Sequence, residues 1–132
     1  MTMDIIEVPV SPGEVLDKIT ILEIKSERIS DAGKLVNVKR ELELLQAAWR
    51  SSVQEDETVL RIHDELKTIN EALWEIEDDI RDKERAREFD DRFIELARSV
   101  YVTNDQRANA KKELNLYLGS EIVEEKSYQD YQ

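Results

Sequence analysis

The sequence predicts an all-α fold: a helical bundle of about five helices, with one long coiled-coil-like helix and a short extended N-terminal arm. Composition is the first observation behind this. Of 132 residues, 38% are charged and 40% hydrophobic, with only three Gly and two Pro to interrupt helices, a mixture typical of long helices. Spacing is the second, since apolar residues recur at alternating steps of three and four, the period that lines one helix face. The third is a set of capping signatures where helices should start. The length suits one domain over residues 1–132, large enough for a single apolar core.

Residues 1–10 form the arm, in which β-branched Ile5, Ile6, Val8 and Val10 favour extended backbone around Pro9. Ser11-Pro12-Gly13-Glu14 then reads as a helix start. Ser11 suits the N-cap, Pro12 the first helical position, and Glu14 closes the capping box. The first helix is expected from Pro12 to Ser30, stopped by Asp31-Ala32-Gly33. A second, from Lys34 to Arg50, carries Leu35, Val38, Leu42, Leu45 and Trp49 as one stripe.

The third helix, Asp56 to Arg85, is the most regular: Val59, Ile62, Leu66, Ile69, Leu73, Ile76 and Ile80 hold the alternation over three heptads, as in a coiled-coil seam. It would span about 45 Å, more than the roughly 35–40 Å breadth of a compact domain of this size. These seven residues are therefore expected to meet a second copy or another protein. A fourth helix covers Glu88 to Val102, with Phe89, Phe93, Leu96 and Val100 on one face. Thr103 and Gln106 then read as the capping box of a fifth, which stops at Gly119. Residues 120–132 form an acidic tail without a period, expected to be flexible.

Charge excludes several functions. Thirty-one carboxylates against 19 basic residues leave a net charge of −12, so neither nucleic acid nor an anionic membrane surface is an expected partner. With no Cys and one His, no disulfide, thiolate site or His-rich metal site is expected, and no cofactor. The N-terminus lacks the basic start of a secretory signal, and no apolar run reaches membrane-spanning length. A soluble cytoplasmic protein is expected.

Glu71, Glu75, Asp78, Asp79 and Asp82 on the third helix have a spacing that could hold a divalent cation. In so acidic a chain they read better as a solvated face relieved by Arg81, Lys83 and Arg85; no metal site is assigned. His63, Asn70 and Glu77 recur every seven residues beside the seam, as polar residues that fix register do. The first helix carries a basic stripe, Lys18, Lys25 and Arg28, which must meet carboxylates or an anionic ligand if buried.

In RSVYVTNDQRANAKK, basic residues bracket a polar knot. A helix N-terminus at Thr103-Asn104 flanked by Arg98, Arg107 and Lys111 could receive a phosphate or carboxylate, with Tyr101 as a wall. Asp105 opposes this, because it already suits the helix dipole. The anion-binding candidates are thus Lys18, Lys25, Arg98, Tyr101, Asn104, Arg107 and Lys111.

Three stretches, SPGEVLDKITILEIKSERI from Ser11, ARSVYVTNDQRANAK from Ala97 and GSEIVEEKSY from Gly119, resemble a family of small uncharacterised bacterial helical proteins. The resemblance runs over most of the chain and implies no particular reaction. It does imply the context of glycosyltransferases and surface-polysaccharide synthesis. The leading functional expectation is a non-enzymatic protein-interaction or accessory module that self-associates as a homo-oligomer. The alternative is a binder of, or enzyme acting on, a small anionic metabolite such as a nucleotide sugar or sugar phosphate.

Overall fold

A computed structural model describes residues 4–132; of the expected arm, residues 1–3 lie outside the described residues. The rest of the arm is non-helical and exposed up to Ser11. Helix α1, Pro12–Arg28, starts as its capping signature dictates, with the Ser11 hydroxyl accepting from the Glu14 N–H at 3.2 Å and Pro12 at the first position. It ends two residues sooner than its sequence suggests, because Ile29 turns extended. Helix α2, Ala32–Ser52, is capped by Asp31, which accepts from the Lys34 N–H at 2.9 Å. Gly33, expected to stop the first helix, therefore lies in the first turn of the second.

Helix α3, Glu57–Ala86, is capped by Asp56 and is the long helix expected. It stops at Arg87, a left-handed residue at φ 56°. There the Glu88 N–H returns to the Lys83 carbonyl and the Arg87 N–H to that of Glu84, satisfying carbonyls that helix ends leave orphaned. Lys83 fastens the turn through Glu88 at 3.0 Å and Asp90 at 2.9 Å. Asp90 then caps helix α4 by accepting from the Phe93 N–H.

The expected joint at Thr103 does not exist. Helix α4, Asp91–Tyr117, runs through it without interruption, and the described residues contain four helices rather than five. A Thr-x-x-Gln pattern caps only where the backbone leaves helical angles. Nothing between Val100 and Gln106 forces that, since the stretch has neither Gly nor Pro and Thr103 is buried as a helix-interior residue.

Helix α1 is the hub. It packs against each of the other three helices, while α3 and α4 also pack on each other. Side-chain pairs give the directions. α3 and α4 form an antiparallel hairpin, joined by Arg61–Glu113 at one end and Lys83–Asp90 at the tip. α1 lies antiparallel to α4, from Gly13 beside Asn115 to Asp17 beside Arg107. It lies parallel to α3, where Glu23 meets His63 at 2.7 Å, Glu27 meets Lys67 at 2.6 Å, and Arg28 pairs with Glu75. One core joins all four: Leu16 and Ile19 from α1, Trp49 from α2, Val59, Ile62 and Leu66 from α3, Ala110 and Leu114 from α4.

This packing divides the α3 seam. Val59, Ile62 and Leu66 are 1%, 0% and 0% exposed and are consumed by the chain's own core. That overturns their expected place in an interface. Ile69, Leu73, Ile76 and Ile80 are only half-buried. The reason is length: α1 has 17 residues against 30 in α3, about 25 Å against 45 Å at 1.5 Å per residue. The far end of the α3–α4 hairpin therefore extends past the end of α1.

The acidic tail is irregular, yet it is tied to α4. Glu124 pairs with Lys111 at 3.0 Å, Lys126 with Asp105 at 2.6 Å, and Tyr131 stacks on Tyr101 with ring centroids 4.8 Å apart. The Lys126 ammonium and the Tyr131 hydroxyl, both donating to Asp105, hold that carboxyl below its usual range.

The His63–Glu23 contact makes the α1–α3 packing pH-dependent. Its hydrogen bond to Glu23 outweighs desolvation and raises the His63 pKa above 6.5. Stability from a raised histidine is full below its unfolded-state value and lost as pH rises through the folded-state value. The stability lost in His63→Gln should thus be on the order of 1 kcal/mol near pH 5.5 and shrink toward zero above neutrality. Urea unfolding of both proteins across this range measures it; a difference independent of pH would show that the charged imidazole contributes nothing.

Candidate functional site

The α1–α4 contact begins with a glycine. Gly13 lies so close to α4 that a Cβ on it would stand 2.6 Å from the Lys111 carbonyl oxygen and 2.9 Å from Asn115 Oδ1. The approach lets the Gly13 N–H, one of the orphan donors at a helix start, donate to Asn115 Oδ1 at 2.7 Å. Asn115 is 1% exposed, so a side chain from α4 completes the N-terminus of α1.

One turn further along α1 lies Asp17, also 1% exposed. Arg107 meets it with two parallel bonds, Nε to Oδ1 at 2.8 Å and Nη2 to Oδ2 at 2.5 Å, the bidentate geometry that makes such pairs strong. Asn70 of α3 donates to the same Oδ1 and to the Thr20 hydroxyl, both at 3.0 Å, and that hydroxyl donates to the Asp17 carbonyl at 2.7 Å. Three helices thus share one buried polar knot, and among the described residues no buried side-chain N or O lacks a partner. The hydrogen bonds to Asp17 raise the Arg107 pKa despite desolvation, so the guanidinium stays charged.

The seven anion-site candidates are not brought together. Lys18 points toward α2, where it pairs with Glu41 at 2.9 Å. Arg98 is exposed and lies nine residues from Arg107, on the opposite side of α4 at 3.6 residues per turn. Tyr101 is stacked under Tyr131. Lys111 is held between Glu14 at 2.8 Å and Glu124 at 3.0 Å; burial disfavours its charge, but the two carboxylates outweigh this and raise its pKa. Because α4 is continuous, Thr103 and Asn104 offer no free helix N-terminus, and the anion-binding geometry expected there is absent.

Lys25, Asn104 and Arg107 do converge. They line a cavity of about 430 Å³ whose other walls include Asn70, Leu73 and Trp74. Asn104 and Arg107 also line a second, more polar cavity of about 650 Å³ under the tail, with Lys111, Glu124 and Lys126. A third, about 920 Å³, is a shallow groove between α3 and α4 along Leu60, Ile69 and Ala110.

The acidic face of α3 is relieved by ion pairs: Arg28 with Glu71 and Glu75, Arg92 with Asp79 at 3.9 Å, and Arg85 with Asp82 at 3.6 Å. Among the described residues, no group of three or more His, Asp or Glu is arranged to hold a metal ion. Nor is any helix long and apolar enough to cross a membrane.

Sequence reasoning missed Asp17, Thr20, Asn70's true partners and Asn115. The available signal was polarity out of place: Asp17 and Thr20 interrupt a face shared with Leu16, Ile19 and Ile24, and buried polar groups of that kind are hydrogen-bonded. Asn70 does sit at the polar edge of a helix interface, as its seven-residue spacing from His63 suggested.

No curated protein and no solved structure matches the chain. A family model does, over residues 6–131. The chain belongs to DUF6165, a family of unknown function, and the match spans all four helices.

Proposed function

We infer that this chain is a one-domain, non-enzymatic interaction module that pairs with a second copy of itself through the far half of the α3–α4 hairpin. The observation that carries the reading is the mismatch in helix length. The apolar seam of α3 continues to Ile80, while α1, which covers its first half, ends with Arg28 opposite Glu75. Ile76 and Ile80 are left half-buried, and at the same end of the hairpin Phe89, in the turn before α4, and Ile94 of α4 are about half exposed. Both charge signs also alternate along this end, from Arg81, Lys83 and Arg85 to Asp79, Asp82 and Asp91, so two hairpins could dock antiparallel without meeting like charge throughout. A soluble, cytoplasmic place for it is the reading that composition supports, and a role accessory to surface-polysaccharide synthesis or a glycosyltransferase is the context that the family resemblance implies.

Sedimentation equilibrium tests the pairing. A dimer is expected at micromolar concentration, and Ile80→Lys or the more exposed Ile94→Lys should shift it to monomer while the helical circular dichroism is retained. A wild-type protein that stays monomeric at high micromolar concentration would sink this reading.

A further inference from the structure

Most cations of this chain are spoken for. Lys18, Arg28, Arg61, Lys67, Lys83 and Lys111 each have a carboxylate within 4.0 Å. Lys25 differs. It is half-buried near the end of α1, and among the described residues no carboxylate lies within ion-pair distance of it. It lines the cavity of about 430 Å³ between α1, α3 and α4, a volume in the range that small-molecule sites occupy.

The polar knot also lends residues to the lining of this cavity. Arg107 spends Nε and Nη2 on Asp17, which leaves Nη1 with only a long contact of 3.5 Å to Asn104 Oδ1. That guanidinium nitrogen therefore has donor capacity to spare, and its position is fixed by the bidentate pair. Asn104 adds an amide group, while both amide protons of the buried Asn70 are spent on Asp17 and Thr20. Ile21, Leu73 and Trp74 supply apolar lining. Glu77 and Asp78 also line the cavity, but Glu77 is neutralised by Arg81 at 3.1 Å. Asp78 and the net charge of −12 set a limit on how much negative charge can enter, since like charge costs most where water is scarce.

We propose that this cavity binds a small planar carboxylate, its single negative charge held between the Lys25 ammonium and Arg107 Nη1 and its ring laid against Trp74 and Leu73. The arrangement follows the general form of small-molecule sites, an apolar surface with a few convergent polar groups. It selects for a monoanion because, of the lining cations, only Lys25 lacks a carboxylate within ion-pair distance, while Asp78 opposes any further negative charge. It differs from the anion site expected at a helix N-terminus, which used free N–H groups that α4 does not have.

The two tryptophans make the test direct. Trp74 lines the cavity, whereas Trp49 is in the core with its Nε1–H given to Glu55 at 2.8 Å. In ¹H–¹⁵N spectra of the full chain, with indole signals assigned by Trp74→Phe, 4-hydroxybenzoate should move the Trp74 signal saturably and leave Trp49 in place. Lys25→Ala should weaken binding about ten-fold or more, the worth of one charge-assisted hydrogen bond, while Lys34→Ala on the exposed side of α2 binds as wild type. Absence of a saturable Trp74 shift up to roughly 20 mM, a concentration that would still reveal millimolar affinity, overturns the proposal. So does Lys25→Ala binding as tightly as wild type. Adenosine monophosphate binding more tightly than the benzoate would overturn the monoanion assignment, and inorganic phosphate moving Trp74 equally would overturn the role of the ring.

Discussion

Arg107→Ala is expected to lower the unfolding free energy by about 3 kcal/mol, the lower end of the cost of breaking a buried pair from one side. The Asp17 side chain is 2% exposed, against 30% for Arg107, so the mutation strands a carboxylate that water cannot reach. Asn70 still donates to Oδ1, which keeps the loss from being larger. Urea unfolding should show a lower midpoint with an unchanged slope.

A second readout separates the charge from lost packing. An unpaired buried carboxylate is costly because burial strips its hydration, so Asp17→Asn placed in the Arg107→Ala background should restore part of the loss. A deficit under about 1 kcal/mol, or no recovery in the double variant, would mean that the guanidinium holds these helices together no better than an exposed ion pair does.

Leu66→Ala should cost about 2–5 kcal/mol, and Leu73→Ala clearly less, although the two are seven residues apart on the same α3 seam. Leu66 is fully buried among core residues of all four helices, so truncation removes its transfer energy and leaves a cavity. Leu73 is half-buried and faces an open cavity, where neighbours and water adjust. Denaturant midpoints of the two variants decide the matter. Equal losses would mean that Leu73 is covered in solution as fully as Leu66, by a second copy or by closure of the cavity beside it.

The starts of helices were legible because capping is local. Ser11 and Asp56 bond to N–H groups three residues away, and each can be read within a tetrapeptide. Apolar spacing was legible for the same reason: the stripe Leu35, Val38, Leu42, Leu45 and Trp49 is buried or half-buried along α2 as its period requires. Thr103 shows where local reading fails. Its capping box is as good a pattern as that at Ser11, but Pro12 and the extended arm force the backbone to change there, and no such residue precedes Thr103.

Ion pairing is another matter. With 31 carboxylates, every cation has many conceivable partners, and Asp17 finds Arg107 ninety positions away only because α1 and α4 approach closely at Gly13. Lys18 and Lys25 stand on one sequence stripe, yet one is neutralised by α2 and the other opens on a cavity.

By itself, the sequence determined that this chain is helical, where α1 and α3 begin, and that α3 carries a continuous apolar seam, because those properties depend on residues three and four positions apart. The tertiary structure alone decided which half of that seam is spent on the core, that α4 is one helix, and which basic residues remain available. Those outcomes turn on the relative lengths of α1 and α3 and on one close helix contact, distances in space that no local pattern encodes.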